Sequence, residues 1–138
     1  MTTREEEIQR RIELSVTSIS KAVFPPTTNH HGTLFGGTAL AWLDEVSFIT
    51  ATRFCRKALV TVSSDRIDFK HPIPAGSIVD LVGRVVKVGN SSLKVQVDVY
   101  VESMYSDGRE HAITGVFSFV AVGEDNRPVA VLPVNGDE

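Results

Sequence analysis

Between positions 37 and 54 the apolar residues Leu40, Leu43, Val46, Ile49 and Phe54 recur at helical spacing, while Trp42, Phe48 and several alanines occupy the remaining faces. A helix apolar on nearly every face is expected to be buried. Downstream the period changes to two. Residues 59–69 read as a strand in which Val60 and Val62 share one parity and Ile67 and Phe69 the other, so the strand must bend or bulge between them. Pro72-Ile73-Pro74-Ala75-Gly76 ends it, and residues 78–88 predict the next strand, closed by the turn Gly89-Asn90-Ser91-Ser92. Leu93, Val95, Val97, Val99 and Val101 then alternate with Lys94, Gln96, Asp98, Tyr100 and Glu102, the clearest period of two in the chain. That strand has one wet face. Ser106-Asp107-Gly108-Arg109 is a hairpin signal, and residues 112–122 predict a last apolar strand carrying Phe117 and Phe119.

Ahead of the helix, residues 1–13 are mostly charged or polar and read as a frayed or short helical lead-in. Residues 15–23 fit a polar edge strand, and Pro25-Pro26 forces an extended turn. The order predicts an α+β fold: an antiparallel sheet of long strands joined by short hairpins, wrapped around one helix. We divide the chain into the lead-in at 1–13, a single domain at 14–133 and a tail at 134–138. One sheet over one helix leaves a strand edge unprotected, so a dimer or a higher even-numbered assembly through that edge is expected.

At 138 residues the chain suits one domain, which can bury roughly 68% of the surface its unfolded form exposes. With 14 Lys and Arg against 17 Asp and Glu the net charge is −3, and no basic run exceeds Arg10-Arg11, so no nucleic-acid footprint is present. Cys55 is alone and cannot form an internal disulfide; the Glu-rich start is too charged for a signal peptide. A reduced, cytoplasmic protein is expected. No apolar run approaches the ~20 residues of a bilayer span, so no membrane partner is expected.

The densest chemistry lies in Thr28-Asn29-His30-His31-Gly32-Thr33-Leu34-Phe35-Gly36-Gly37, which runs into Trp42-Leu43-Asp44-Glu45. Two carboxylates sit in an otherwise apolar helix that opens on a glycine pair. Buried carboxyls are costly unless paired or used. This order and these residues resemble the hotdog-fold acyl-CoA thioesterases, the family of bacterial and cytosolic acyl-CoA thioester hydrolases. The similarity runs over residues 24–122 and includes Val60-Thr61-Val62, Phe69 and Pro72 with Gly76, and Lys87, Gly89 and Ser92. It implies a hotdog fold, a back-to-back dimer that can assemble to tetramers or hexamers, acyl-CoA as the substrate and hydrolysis to free acid and CoA. It also implies a composite site in which Asn29 and Asp44 come from different subunits, with Thr61, Lys87, Gly89, Ser91 and Ser92 toward the substrate. No cofactor beyond the substrate's own CoA is expected.

Thioester hydrolysis needs an activated water or a nucleophile, and donors where the carbonyl oxygen gains charge. Asp44, desolvated in an apolar helix, suits the first task as general base or as direct nucleophile. The free amides of the first helical turn suit the second, and Gly36 and Gly37 would let a thioester approach them closely. Asn29 could donate to the carbonyl or hold the water. Each residue has a plainer reading: Asp44 as a charge near the helix N-terminus, Asn29 as a turn or cap residue, Gly36-Gly37 as a tight helix entry. Glu45, about 100° round the helix from Asp44, is better read as a satisfied or interface carboxylate. His31 lines the pocket or stays an exposed loop histidine. His30, His31, His71 and His111 show no ligand spacing, so no metal is expected. Arg84, Lys87 and Lys94 around Ser91 and Ser92 either meet CoA phosphates or form a solvated hairpin. Two rival functions stand beside hydrolysis. One is a non-catalytic acyl-CoA sensor. The other is a hydroxyacyl dehydratase using His31 and Glu45.

Overall fold

The computed structural model describes residues 3–132, so the end of the expected domain at 133 and the tail at 134–138 lie outside it. The elements run α1 (Arg4–Ser15), β1 (Thr17–Val23), a 3-10 turn (Pro25–Thr27), α2 (Gly36–Cys55), β2 (Leu59–Phe69), β3 (Ser77–Val88), β4 (Ser92–Ser103) and β5 (Glu110–Ala121). All strands join one antiparallel sheet in the order β1-β3-β4-β5-β2, with α2 lying across one face. The α+β architecture is the one expected.

The inward residues of the central strands are buried, Val79, Leu81 and Val85 on β3, Val95, Val97 and Val99 on β4, Phe117 and Phe119 on β5. Each such side chain taken out of water contributes about 1.5–3 kcal/mol before the entropy of ordering is counted. Two glycines set how closely α2 approaches. A Cβ on Gly83 would lie 2.4 Å from Thr50 Oγ1 and 3.0 Å from Val46 Cγ1, and one on Gly115 would lie 3.4 Å from Leu43 Cδ2. At these two points the helix rests directly on the sheet backbone.

Four expectations need correction. The helix is not buried all round: Ala39, Leu43, Val46, Ser47, Thr50, Ala51, Phe54 and Cys55 are buried, whereas Leu40, Asp44, Glu45 and Phe48 are exposed. A sheet covers only the side of the helix it touches. The desolvation expected of Asp44 is accordingly absent in the single chain. Next, β2 and β3 do not form a hairpin, since β2 pairs with β5 at the sheet edge and the 70–76 connection crosses to the far side. That connection is held by Leu34 N donating to Ile73 O (2.6 Å) and Ala75 N to Gly32 O (3.0 Å). Lastly, Pro25-Pro26 builds a 3-10 turn; proline's fixed φ near −65° suits it, and only Phe24 before the pair is extended.

The parity change along β2 is accommodated by two register shifts, between Thr61 and Ser63 and between Ser64 and Arg66. The lead-in is a docked helix rather than a frayed one. Thr3 caps it by accepting from Glu6 N (3.1 Å), Ile8 is buried, and Arg11 Nη1 donates to Phe54 O at the end of α2 (3.1 Å). α2 itself stops at Arg56, a left-handed residue (φ 54°) whose N–H donates to Thr52 O.

Candidate active site

The loop from Thr28 to Leu34 folds on itself through one asparagine. Asn29 N donates to Thr33 O (2.8 Å), and Asn29 Oδ1 accepts from His31 N (2.9 Å), Thr33 N (3.2 Å) and Thr33 Oγ1 (3.1 Å). Three donors converging on one atom fix that atom as the oxygen and turn the Nδ2 amide away from the loop. Among the described residues Nδ2 has no partner. Gly32, at φ 74°, makes the turn that permits this closure.

The loop delivers the chain to the start of α2. Phe35 is the N-cap and offers no side-chain cap; its carbonyl takes Ala39 N, and Phe35 N is spent on Thr27 O. The amides of Gly36, Gly37 and Thr38 have no acceptor among the described residues, and the first turn carries no acidic side chain. Two N–H groups on residues lacking side chains thus face the open end of a helix dipole.

Asp44 is the ninth residue of α2, beyond the turn in which the dipole matters, so charge stabilisation at the N-terminus does not account for it. It shares an exposed stripe with Gly37, Leu40, Ala41 and Phe48, where it is the lone carboxylate. Seven residues separate Gly37 from Asp44, about 10 Å along the axis. Glu45 is exposed on the neighbouring face, and no hydrogen bond or salt bridge joins it to His31 among the described residues. The His31 ring is exposed and lies 3.9 Å from that of His30.

Thr61 pairs with Phe119 and so points to the helix side of β2, where Phe119 and Phe48 have ring centroids 6.4 Å apart. On the hairpin side, Lys87 and Ser92 line one groove with Val62, Leu93, Lys94 and Ser118. Gly89 N donates to Ser92 O, and a Cβ on Gly89 would lie 2.6 Å from Ser92 Oγ, so a side chain there would require the Ser92 hydroxyl to move. Ser91 O accepts from Ala121 N, which anchors the turn to β5. Arg84 is exposed. Lys94 is already engaged, because its Nζ lies 2.9 Å from Asp65 Oδ2. Sequence reasoning missed Asp65. It occupies the second β2 irregularity and also accepts from Ser118 Oγ (2.6 Å) and Ser63 Oγ. The Ser118 and Ser63 hydroxyls, followed by Lys94, hold its carboxyl well below the usual carboxylate range. Its signal was the parity change along β2. The Cys55 thiol, by contrast, is buried, and burial pushes it up.

The model of the thioesterase superfamily matches residues 31–106, more than half the chain. The chain belongs to the thioesterase superfamily. Over 109 residues this chain is 42% identical to the uncharacterized acyl-CoA thioester hydrolase YkhA of Bacillus subtilis, a match covering 79% of this chain and 63% of that one. It therefore spans less than two thirds of that relative's length. An acyl-CoA hydrolase from Staphylococcus aureus, solved with butyryl-CoA and CoA, is 34% identical with a TM-score of 0.82, covering 86% of this chain and 73% of its own. The hexameric thioesterase from Yersinia pestis is 29% identical with a TM-score of 0.73, covering 81% and 91%. The fold is thus the hotdog fold. Variants of the Staphylococcus enzyme replace an asparagine, an aspartate fifteen residues on and a threonine seventeen further. Asn29, Asp44 and Thr61 of this chain have the same spacing.

Proposed function

We propose that this chain hydrolyses acyl-CoA thioesters to the free acid and CoA, at a site assembled from two copies. The observation that carries the reading is a single carboxylate, Asp44, on an exposed helix stripe that is otherwise apolar. An apolar stripe of this kind calls for a covering surface, and covering it desolvates Asp44 and makes it a stronger base. The exposed β2 edge with Val60, Val62 and Phe69 supports a homodimer formed there, and higher assembly is consistent with the hexameric relative.

The two halves of the chemistry lie about 10 Å apart along one helix, too far to act on one carbonyl, which supports pairing Asp44 of one copy with the Asn29 loop of the other. Asn29 Nδ2 and the Gly36 and Gly37 amides donate to the thioester oxygen. Asp44 takes a proton from water, the hydroxide oxygen attacks the carbonyl carbon, and the C–S bond breaks to release CoA thiolate, which is then protonated. Direct attack by Asp44 would give an anhydride that water opens to the same products. Lys87 and Ser92, with Gly89 and Ser91 shaping their turn, face the CoA phosphates; Thr61 and His31 border the acyl end and the loop end. Water is the only co-reactant this scheme uses. A cytoplasmic setting belongs to this reading; among the described residues no helix is long and apolar enough to cross a membrane.

The test is thiol release from acyl-CoAs of graded length by wild type and Asp44→Asn at matched assembly size. Loss of a catalytic base predicts a fall in kcat of about 100- to 10,000-fold. Asp44 has no side-chain hydrogen bond among the described residues, so the thermal midpoint should hold. Wild type inactive on every thioester would reject the enzyme reading in favour of an acyl-CoA sensor.

A further inference from the structure

We propose that Thr33 is a positioning residue for Asn29, holding the Nδ2 amide where the thioester oxygen meets it; the inference rests on the thioesterase reading above. Two of the hydrogen bonds that Asn29 Oδ1 accepts come from Thr33, one from its N–H (3.2 Å) and one from its hydroxyl (3.1 Å). The other comes from the N–H of His31, an exposed residue (2.9 Å). Among the described residues the Thr33 hydroxyl makes no other hydrogen bond. The nearby hydroxyls of Thr27 and Thr28 donate instead to Phe24 O and Pro25 O, which fastens the preceding turn and leaves the Asn29 side chain untouched.

Thr33 can serve as a reference point because the backbone on both sides of it is fixed. Gly32 O accepts from Ala75 N (3.0 Å) and Leu34 N donates to Ile73 O (2.6 Å), so both neighbours are tied to the connection between β2 and β3. Thr33 itself forms a bridge to Pro74, and Leu34 after it is buried. The Asn29 side chain is therefore held against that connection and not against the exposed tip of its own loop at His30 and His31. The hydroxyl adds to what the backbone supplies. An amide oxygen offers two lone pairs, and the two N–H groups already claim them. A third donor narrows the arc through which the carboxamide can swing, and it draws electron density toward Oδ1, which makes the Nδ2 protons stronger donors. A donor preset in this way needs no reorganisation as charge develops on the carbonyl oxygen.

The experiment measures kcat and KM for thiol release, from the acyl-CoA that wild type cleaves fastest, by wild type, Thr33→Val, Thr33→Ala and Thr33→Ser at matched assembly size. Loss of the hydroxyl should lower kcat about 10-fold in both Thr33→Val and Thr33→Ala with KM held within about twofold, because the donor it aims serves the transition state more than binding. Thr33→Ser keeps the hydroxyl and should stay within about threefold of wild type. The Thr33→Val change placed in Asn29→Asp, which has no Nδ2 left to aim, should cost less than about twofold more. Wild-type kcat in Thr33→Val and Thr33→Ala would overturn the proposal while hydrolysis stands. An equal loss in the Asn29→Asp background would also overturn it, since the hydroxyl would then act on something other than Nδ2, and so would a Thr33→Ser as impaired as Thr33→Val. A wild type that cleaves no thioester would reject the hydrolase reading and this inference with it.

Discussion

In the proposed function Asn29 has two jobs at opposite ends of one amide, and they can be separated. Its oxygen closes the loop by accepting from two backbone N–H groups and one hydroxyl; its nitrogen is free to polarise a substrate carbonyl. Asn29→Ala removes both. Thr33 is part-buried, and a donor left unpaired there costs about 1–3 kcal/mol, whereas the exposed His31 N–H can turn to water. A loss near 2 kcal/mol in a chain of this size lowers the thermal midpoint by roughly 5–10 °C. Asn29→Asp keeps an oxygen for all three donors but replaces the N–H₂ with a second oxygen. That variant should melt within about 2 °C of wild type yet lose about 100-fold or more in kcat, because an acceptor now faces the developing oxyanion. Differential scanning calorimetry and thiol-release kinetics on the three proteins read both quantities. Full activity in Asn29→Asp would refute the donor role of Nδ2. An unshifted midpoint in Asn29→Ala would refute the loop accounting.

Two further outcomes follow from packing and charge. Gly83→Ala drives a methyl to within 2.4 Å of Thr50 Oγ1 and 3.0 Å of Val46, so it should cost about 1–3 kcal/mol by denaturant titration while kcat per folded molecule is retained. Asp65 titrates below its unfolded value, so its contribution is complete above about pH 4 and fades as pH falls below that. Asp65→Asn should therefore be less stable than wild type near neutrality, with the gap closing on acidification; a gap that widens in acid would contradict the assignment.

Much of this protein was written locally. Alternation of valines with polar residues specified β4, the glycine- and serine-rich turn its hairpin with β3, and the parity change in β2 its irregularities, because each depends only on near neighbours along the chain. The cluster of Asn29, Gly36, Gly37 and Asp44 was visible in the same way, through residue types and spacing. What the sequence could not carry was which surfaces meet. The pairing of β2 with β5 instead of β3 is decided by the tie between the 70–76 connection and the Thr28–Leu34 loop, a long-range contact with no local signature. The exposure of Asp44 is decided by the reach of the sheet, since an apolar residue reads the same whether it faces the chain's own core or a second copy. In the proposed assembly the outward stripe of α2 belongs to the second case, and hydrophobicity alone cannot tell the two apart.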